Sequence, residues 1–139
     1  TMFHHLPAAR APEVEALLRD LTQAQAPIEL KATGYRFLGR GVALEFHAPA
    51  LQAIQRAIAE KFESDLTPQD RQKLKPHVTI QNKVEPALAK NLFADCQQSF
   101  VPFVAQGIGL QLWRYDGGPW AEMKTFSFAG CGTSLSAPI

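Results

Sequence analysis

His77 and Thr79 flank Val78 in the segment His77-Val78-Thr79-Ile80-Gln81, which alternates with the two-residue period of a β-strand. Side chains at i and i+2 of a strand leave the same face, so an imidazole and a hydroxyl are presented together and one phosphate can meet both. Histidine as a residue type exchanges a proton near neutral pH, and a threonine hydroxyl can donate to a phosphoryl oxygen. The pair therefore suits acid-base catalysis of phosphoryl transfer. Gln81 and, if the strand runs on, Lys83 continue that face. Lys83 then either adds positive charge beside the phosphate or remains a solvated lysine. A lone His-x-Thr triplet is a weak signal, because most strand histidines are structural, so the surrounding frame has to decide.

Several elements must position the pair. Pro12 to Gln25 sets Val14, Leu17, Leu18 and Leu21 at helical spacing, with Pro12 suited to a first turn. Ile28 to Phe46 is strand-like on both sides of Leu38-Gly39-Arg40-Gly41, whose glycines suit a hairpin turn. After Pro49, the positions Leu51, Ile54, Ile58 and Phe62 mark a second helical face. Residues 64 to 76 carry Arg71, Lys73 and Lys75 and end at Pro76, which predicts a loop with a short helical turn. Pro86 to Phe100 returns to helical spacing through Leu88, Leu92 and Phe93. Val104 to Tyr115 and Trp120 to Phe128 are strand-like and joined by Asp116-Gly117-Gly118-Pro119. The two halves thus repeat one order, a strand bearing a threonine, a helix and a hairpin. Thr1 takes the place of Thr79, and Gly34 to Leu38 aligns with Gly109 to Trp113.

Composition narrows the partners. A chain of 139 residues with 46% hydrophobic and 19% charged residues suits one compact domain with ample core material. Lys plus Arg total 14 against 13 for Asp plus Glu, a weak summed field that disfavours capture of long polyanions and suits a short RNA end or small nucleotide. Cys96 and Cys131 build neither a disulfide framework nor a metal cluster, so a reducing cytoplasm is the expected compartment. No run approaches the roughly 18 apolar residues of a membrane span, and no signal peptide is visible, so no membrane partner is expected.

The stretch Leu66-Thr67-Pro68-Gln69-Asp70-Arg71-Gln72 followed by Lys75-Pro76-His77-Val78-Thr79-Ile80-Gln81-Asn82-Lys83-Val84 resembles the second His-x-Thr region of the 2'-5' RNA ligase family. That family lies within the two-histidine phosphoesterase superfamily. Gly34 to Ala43 and Leu112-Trp113-Arg114-Tyr115 are similar to further pieces of a bacterial subgroup, so the resemblance spans roughly Thr1 to Phe128. It implies an α+β fold of two pseudo-symmetric lobes, each an antiparallel sheet backed by helices, with the active-site cleft between them. One domain over residues 1–128, its lobes interleaved across the two repeats, would be followed by a flexible tail over 129–139.

The same resemblance implies a second His-x-Thr motif facing the first. Thr1-Met2-Phe3-His4-His5-Leu6-Pro7 resembles the continuation of that motif, whose histidine would stand two residues before Thr1, outside this sequence. His4 and His5 follow the threonine, and only His5 shares its predicted strand face. By the resemblance His77 is a general acid or base, and Thr79 and Thr1 hold phosphate oxygens, with no metal or other cofactor. The implied reaction is hydrolysis of a 2',3'-cyclic phosphate to a 2'-phosphate, together with the related opening and joining of 2'-5' phosphodiesters. Each acid-base group contributes about a hundred-fold to ten-thousand-fold, so a chain without the first histidine is expected to be impaired. Asn82 departs from the pattern: some members carry an arginine three residues after the threonine for phosphate contact, which leaves that task to Lys83 or another residue.

The remaining candidates have bland readings beside the sharp ones. Phe3 shares the predicted face of Thr1 and either stacks a base or fills the core. Arg40, in the hairpin turn, either reaches a phosphate or is solvated, and Arg114 and Tyr115 have the same standing on the equivalent strand. Trp113 is expected to pack, and His47 to serve at the surface or as a cap. The expected protein is a monomer acting on RNA ends or small cyclic-phosphate nucleotides. Two other readings stand beside it: a non-catalytic RNA-end binding module, and a phosphodiesterase for a non-RNA cyclic phosphate such as a nucleotide-sugar derivative.

Overall fold

The helical spacing of Val14, Leu17, Leu18 and Leu21 becomes α1, Ala11–Gln23, with Pro12 in its first turn, where no amide hydrogen is needed. Val14, Leu18 and Thr22 are its buried residues, and the Thr22 hydroxyl is satisfied by donating to the Leu18 carbonyl at 2.8 Å. The structure, a computed structural model, describes residues 1–130; the tail expected over 129–139 falls outside the described residues from Cys131 onward. Helix α2, Pro49–Lys61, also opens on proline and buries Ile54 and Ile58, and Phe62 behind it is fully buried. Between the helices run β1, Ile28–Phe37, and β2, Val42–His47. The second half supplies β3, His77–Gln81, α3, Pro86–Ser99, β4, Val104–Gly107, β5, Gly109–Tyr115, and β6, Trp120–Ser127.

Two antiparallel sheets result, one of four strands in the order β3-β2-β1-β4 and one formed by β5 and β6. The halves of the chain exchange helices. The β1–β2 hairpin is backed by α3, with Tyr35 edge-on to Phe100 at 5.7 Å and Phe37 against Phe93 at 5.9 Å. Conversely, Phe126 and Phe128 from the β5–β6 end share a core with Val14, Leu18, Ile54, Ile58 and Phe62. This is the α+β arrangement of two helix-backed antiparallel sheets that the sequence implied. The lobes are unequal, four strands against two, because residues 1–7 form no strand.

The run from Val104 to Tyr115, which reads as one strand, is divided at Ile108. Its first part joins the edge of β1, pairing Leu30 with Ala105, while its second part pairs with β6, Leu110 opposite Phe126. Gly109 permits the change of sheet, since a Cβ there would strike the Phe126 carbonyl. A brace outside the sheets seats the start of α1: Arg10 donates to Glu13 at 2.7 Å and to Asp65 at 2.7 Å and lies 4.6 Å over the Phe62 ring.

The β1–β2 turn bears on the position of β3. A Cβ at Gly41 would collide with the Gln81 carbonyl, so the turn and the end of β3 approach as closely as backbone allows. Gly41→Ala is therefore expected to cost about 1–3 kcal/mol, read as a lower urea midpoint with an unchanged slope. An unchanged midpoint would mean that β3 does not end against this turn.

Candidate active site

β3 forms one edge of the four-stranded sheet, and its register on β2 places His77 opposite Glu45, Val78 opposite Leu44 and Thr79 opposite Ala43. Tyr35 and Phe37 point at α3, so by alternation the side chains of Arg36, Ala43, Glu45, His77 and Thr79, and the Gly34 position, belong to the other face, the one α3 leaves open. They lie in two cross-strand rows, Arg36-Ala43-Thr79 and Gly34-Glu45-His77. His77 and Thr79 are both exposed. The Nδ1 of His77 lies 2.8 Å from the Lys75 carbonyl, which only accepts, so Nδ1 carries the hydrogen and the neutral ring keeps a lone pair on Nε2.

The structure corrects the expectation that Gln81 continues this face. Ile80 is an extra residue in a bulge: β2 advances one position, from Ala43 to Val42, while β3 advances two, from Thr79 to Gln81. Gln81 consequently shares the face of Val42, toward α3, where its Oε1 is buried without a hydrogen-bond partner. The strand stops there, so Lys83 does not extend the face either. Its backbone is left-handed at φ 60°, its amide bonded to the Asn82 side-chain oxygen at 2.9 Å.

Arg40 is engaged elsewhere. Its Nε donates to the Val84 carbonyl at 3.1 Å and its guanidinium is 3.6 Å from the Glu85 carboxylate, which ties the hairpin turn to the loop after β3. Arg114 makes a two-point contact with Asp116, at 2.7 and 3.1 Å. That bonding raises the Arg114 pKa and lowers that of Asp116. Tyr115 stacks on Trp120 at 4.9 Å, so both candidates at this hairpin tip meet local partners.

The opening segment also differs from expectation. Residues 1–7 form no strand, so Thr1, Phe3 and His5 do not share a strand face. Phe3 packs against the core beside Met2 and Leu6, which is its bland reading, while Thr1 and His5 are exposed. What holds the segment is Asp70, a residue without a role in the sequence reading. Its carboxylate is 1% exposed, and it accepts the His4 amide at 2.8 Å and the His5 amide at 3.0 Å. The His4 ring at 3.2 Å and the Thr67 hydroxyl at 3.1 Å complete the cluster. Burial pushes this carboxyl up, but the amides of His4 and His5, the His4 ring and the Thr67 hydroxyl outweigh it and hold the pKa below the ordinary value. The sequence did carry a signal: Thr67-x-x-Asp70 is a reciprocal capping pattern, and the Asp70 amide donates back to the Thr67 hydroxyl at 3.2 Å. Because Asp70 precedes His77 by only seven residues, the latch joins the approach to β3 to the start of the chain.

Beside the His77 row a hollow of about 230 Å³ is lined by Glu45, His47, Gln52 and Lys75 among others, so His47 faces a depression rather than capping a helix. Among the described residues no three His, Cys, Asp or Glu side chains gather as a metal-ligand set, and no helix is long and apolar enough to cross a membrane.

Comparison with known proteins places the chain in a family and a fold. The model of the 2'-5' RNA ligase superfamily matches residues 1–119. No curated protein matches the chain. Among solved structures, the crystal structure of TT0787 of Thermus thermophilus superposes with a TM-score of 0.60 at 18% identity, covering 92% of this chain and 75% of that one. At that identity the likeness is one of fold.

Proposed function

Because the chain belongs to the 2'-5' RNA ligase superfamily, we propose that it is a metal-independent cyclic phosphodiesterase. Its substrates are RNA ends or small nucleotides, whose 2',3'-cyclic phosphate it hydrolyses to a 2'-phosphate, with 2'-5' ligation as the related reaction. The observation that carries this reading is the open face on which a histidine with a free Nε2 stands beside the Thr79 hydroxyl.

In the hydrolysis a water oxygen bonds to phosphorus while the bond from phosphorus to the 3' oxygen breaks. One imidazole takes the proton of the water, and a second, protonated imidazole gives one to the departing 3' oxygen. His77 fits either part: neutral, its Nε2 accepts, and protonated, it donates through the same atom while Nδ1 stays bound to the Lys75 carbonyl. Thr79 donates to a non-bridging oxygen as negative charge builds there. In ligation a 5'-hydroxyl replaces water as the nucleophile, and the proton transfers are otherwise the same. By family resemblance the second hydroxyl is that of Thr1 and the second imidazole belongs two residues before it; Asp70 holds the segment that follows, at His4 and His5, to the loop leading into β3.

The test is incubation of the chain, extended by its natural upstream residues, with a nucleoside 2',3'-cyclic phosphate in excess chelator. Phosphorus NMR is expected to show conversion to the 2'-phosphate. Retention of RNA ends without turnover would favour the binding-module reading, and turnover only of non-RNA cyclic phosphates would move the substrate class.

A further inference from the structure

We propose that Arg36 is the cation that holds the substrate phosphate over His77 and Thr79, the task for which Asn82 and Lys83 are unsuited here. The proposal rests on the phosphodiesterase reading and adds a residue to it. Arg36 heads the cross-strand row that runs through Ala43 to Thr79, on the face that α3 leaves open. Two strand spacings, about 10 Å, separate the Arg36 and Thr79 backbones, a gap that an arginine side chain and a phosphate together can bridge. Ala43 offers only a methyl group between them, and a Cβ built on Gly34, in the neighbouring row, meets no atom within 4 Å.

The guanidinium is also under-used. Its Nε is buried without a hydrogen bond, and its one charged neighbour is the Glu45 carboxylate at 3.3 Å, a contact too bent to count as such a bond. A planar group with several unspent donors is suited to two-point contact with phosphoryl oxygens. The other candidate cations have partners or placements of their own. Arg40 is bonded to the Val84 carbonyl, Arg114 to Asp116, and Lys83 lies beyond the end of the strand. Glu45 holds Arg36 beside His77 without saturating it, so an arriving phosphate takes up the free donors.

The test is binding of adenosine 2'-monophosphate, followed through the imidazole NMR signals of His77. Arg36→Met is expected to weaken binding about ten- to a hundred-fold, Arg36→Lys to weaken it less, and adenosine without phosphate to be unaffected by either. Glu45→Gln is expected to tighten binding, because it removes a competing carboxylate. A purely structural ion pair predicts instead that Arg36→Met and Glu45→Gln weaken binding together, and that result would overturn the proposal. So would equal affinity of Arg36→Met and the unchanged protein, with the phosphodiesterase reading left standing. If the nucleotide leaves the His77 signals of the unchanged protein unmoved and no cyclic phosphate is turned over, both ideas fall. Circular dichroism of each variant identifies any that does not fold, and Arg36→Lys, which keeps the charge, then carries the comparison.

Discussion

Replacing His77 with alanine is expected to lower kcat on a nucleoside 2',3'-cyclic phosphate by about a hundred- to ten-thousand-fold while leaving the unfolding midpoint nearly unchanged. The activity loss corresponds to about 3–5 kcal/mol of barrier. Stability should barely move, because the ring is exposed and its one hydrogen bond goes to the Lys75 carbonyl two residues away. Changes at such sites usually stay within about 0.5 kcal/mol. His77→Gln refines the test, since glutamine can donate to that carbonyl but cannot carry a proton. Both variants should be equally impaired. Turnover surviving in His77→Ala would remove β3 from the chemistry.

Asp70→Ala is expected to cost about 2–4 kcal/mol, because the His4 and His5 amides lose their acceptor in a half-buried place and each unmet donor costs about 1–3 kcal/mol. Thermal unfolding and amide exchange at His4 and His5 read the loss. Unaltered exchange at those amides would show that the latch is not what seats the segment. The acid side supplies a separate check. The folded carboxyl lies below its ordinary value of 3.8, so the unfolded chain binds the proton more readily. The stabilisation is complete above that ordinary value and is lost as pH falls through the lower folded one. The difference in stability between the protein and Asp70→Asn should therefore shrink below about pH 4. A difference that stays constant down to about pH 2 would contradict the depressed pKa.

Both predictions depend on elements of unequal legibility. The helices at Ala11–Gln23, Pro49–Lys61 and Pro86–Ser99 stand where the apolar spacing put them, to within two residues at most ends. The β1–β2 and β5–β6 hairpins also sit around the turns their glycines announced. His77 and Thr79 share a face, as the two-residue period requires. What failed was every extension of that period past the residues that enforce it. Gln81 lies one step beyond a bulge, and Lys83 beyond the end of the strand. Thr1, Phe3 and His5 belong to no strand, since residues 1–7 form none. Among the cations singled out in the sequence, Arg40 and Arg114 meet local partners, whereas Arg36, next to last in β1, keeps a buried Nε without a hydrogen bond.

By itself the sequence determined which segments are helical or extended, where the chain turns, and the shared face of His77 and Thr79. These follow from backbone sterics and from residues a few positions apart. Only the tertiary structure decided the bulge at Ile80, the division of the chain at Ile108, the exchange of helices between lobes and the grip of Asp70 on the opening segment. Each of these depends on a partner dozens of residues away. Strand register and long-range hydrogen bonds are settled by which surfaces fit once the core closes, and no local period encodes that fit.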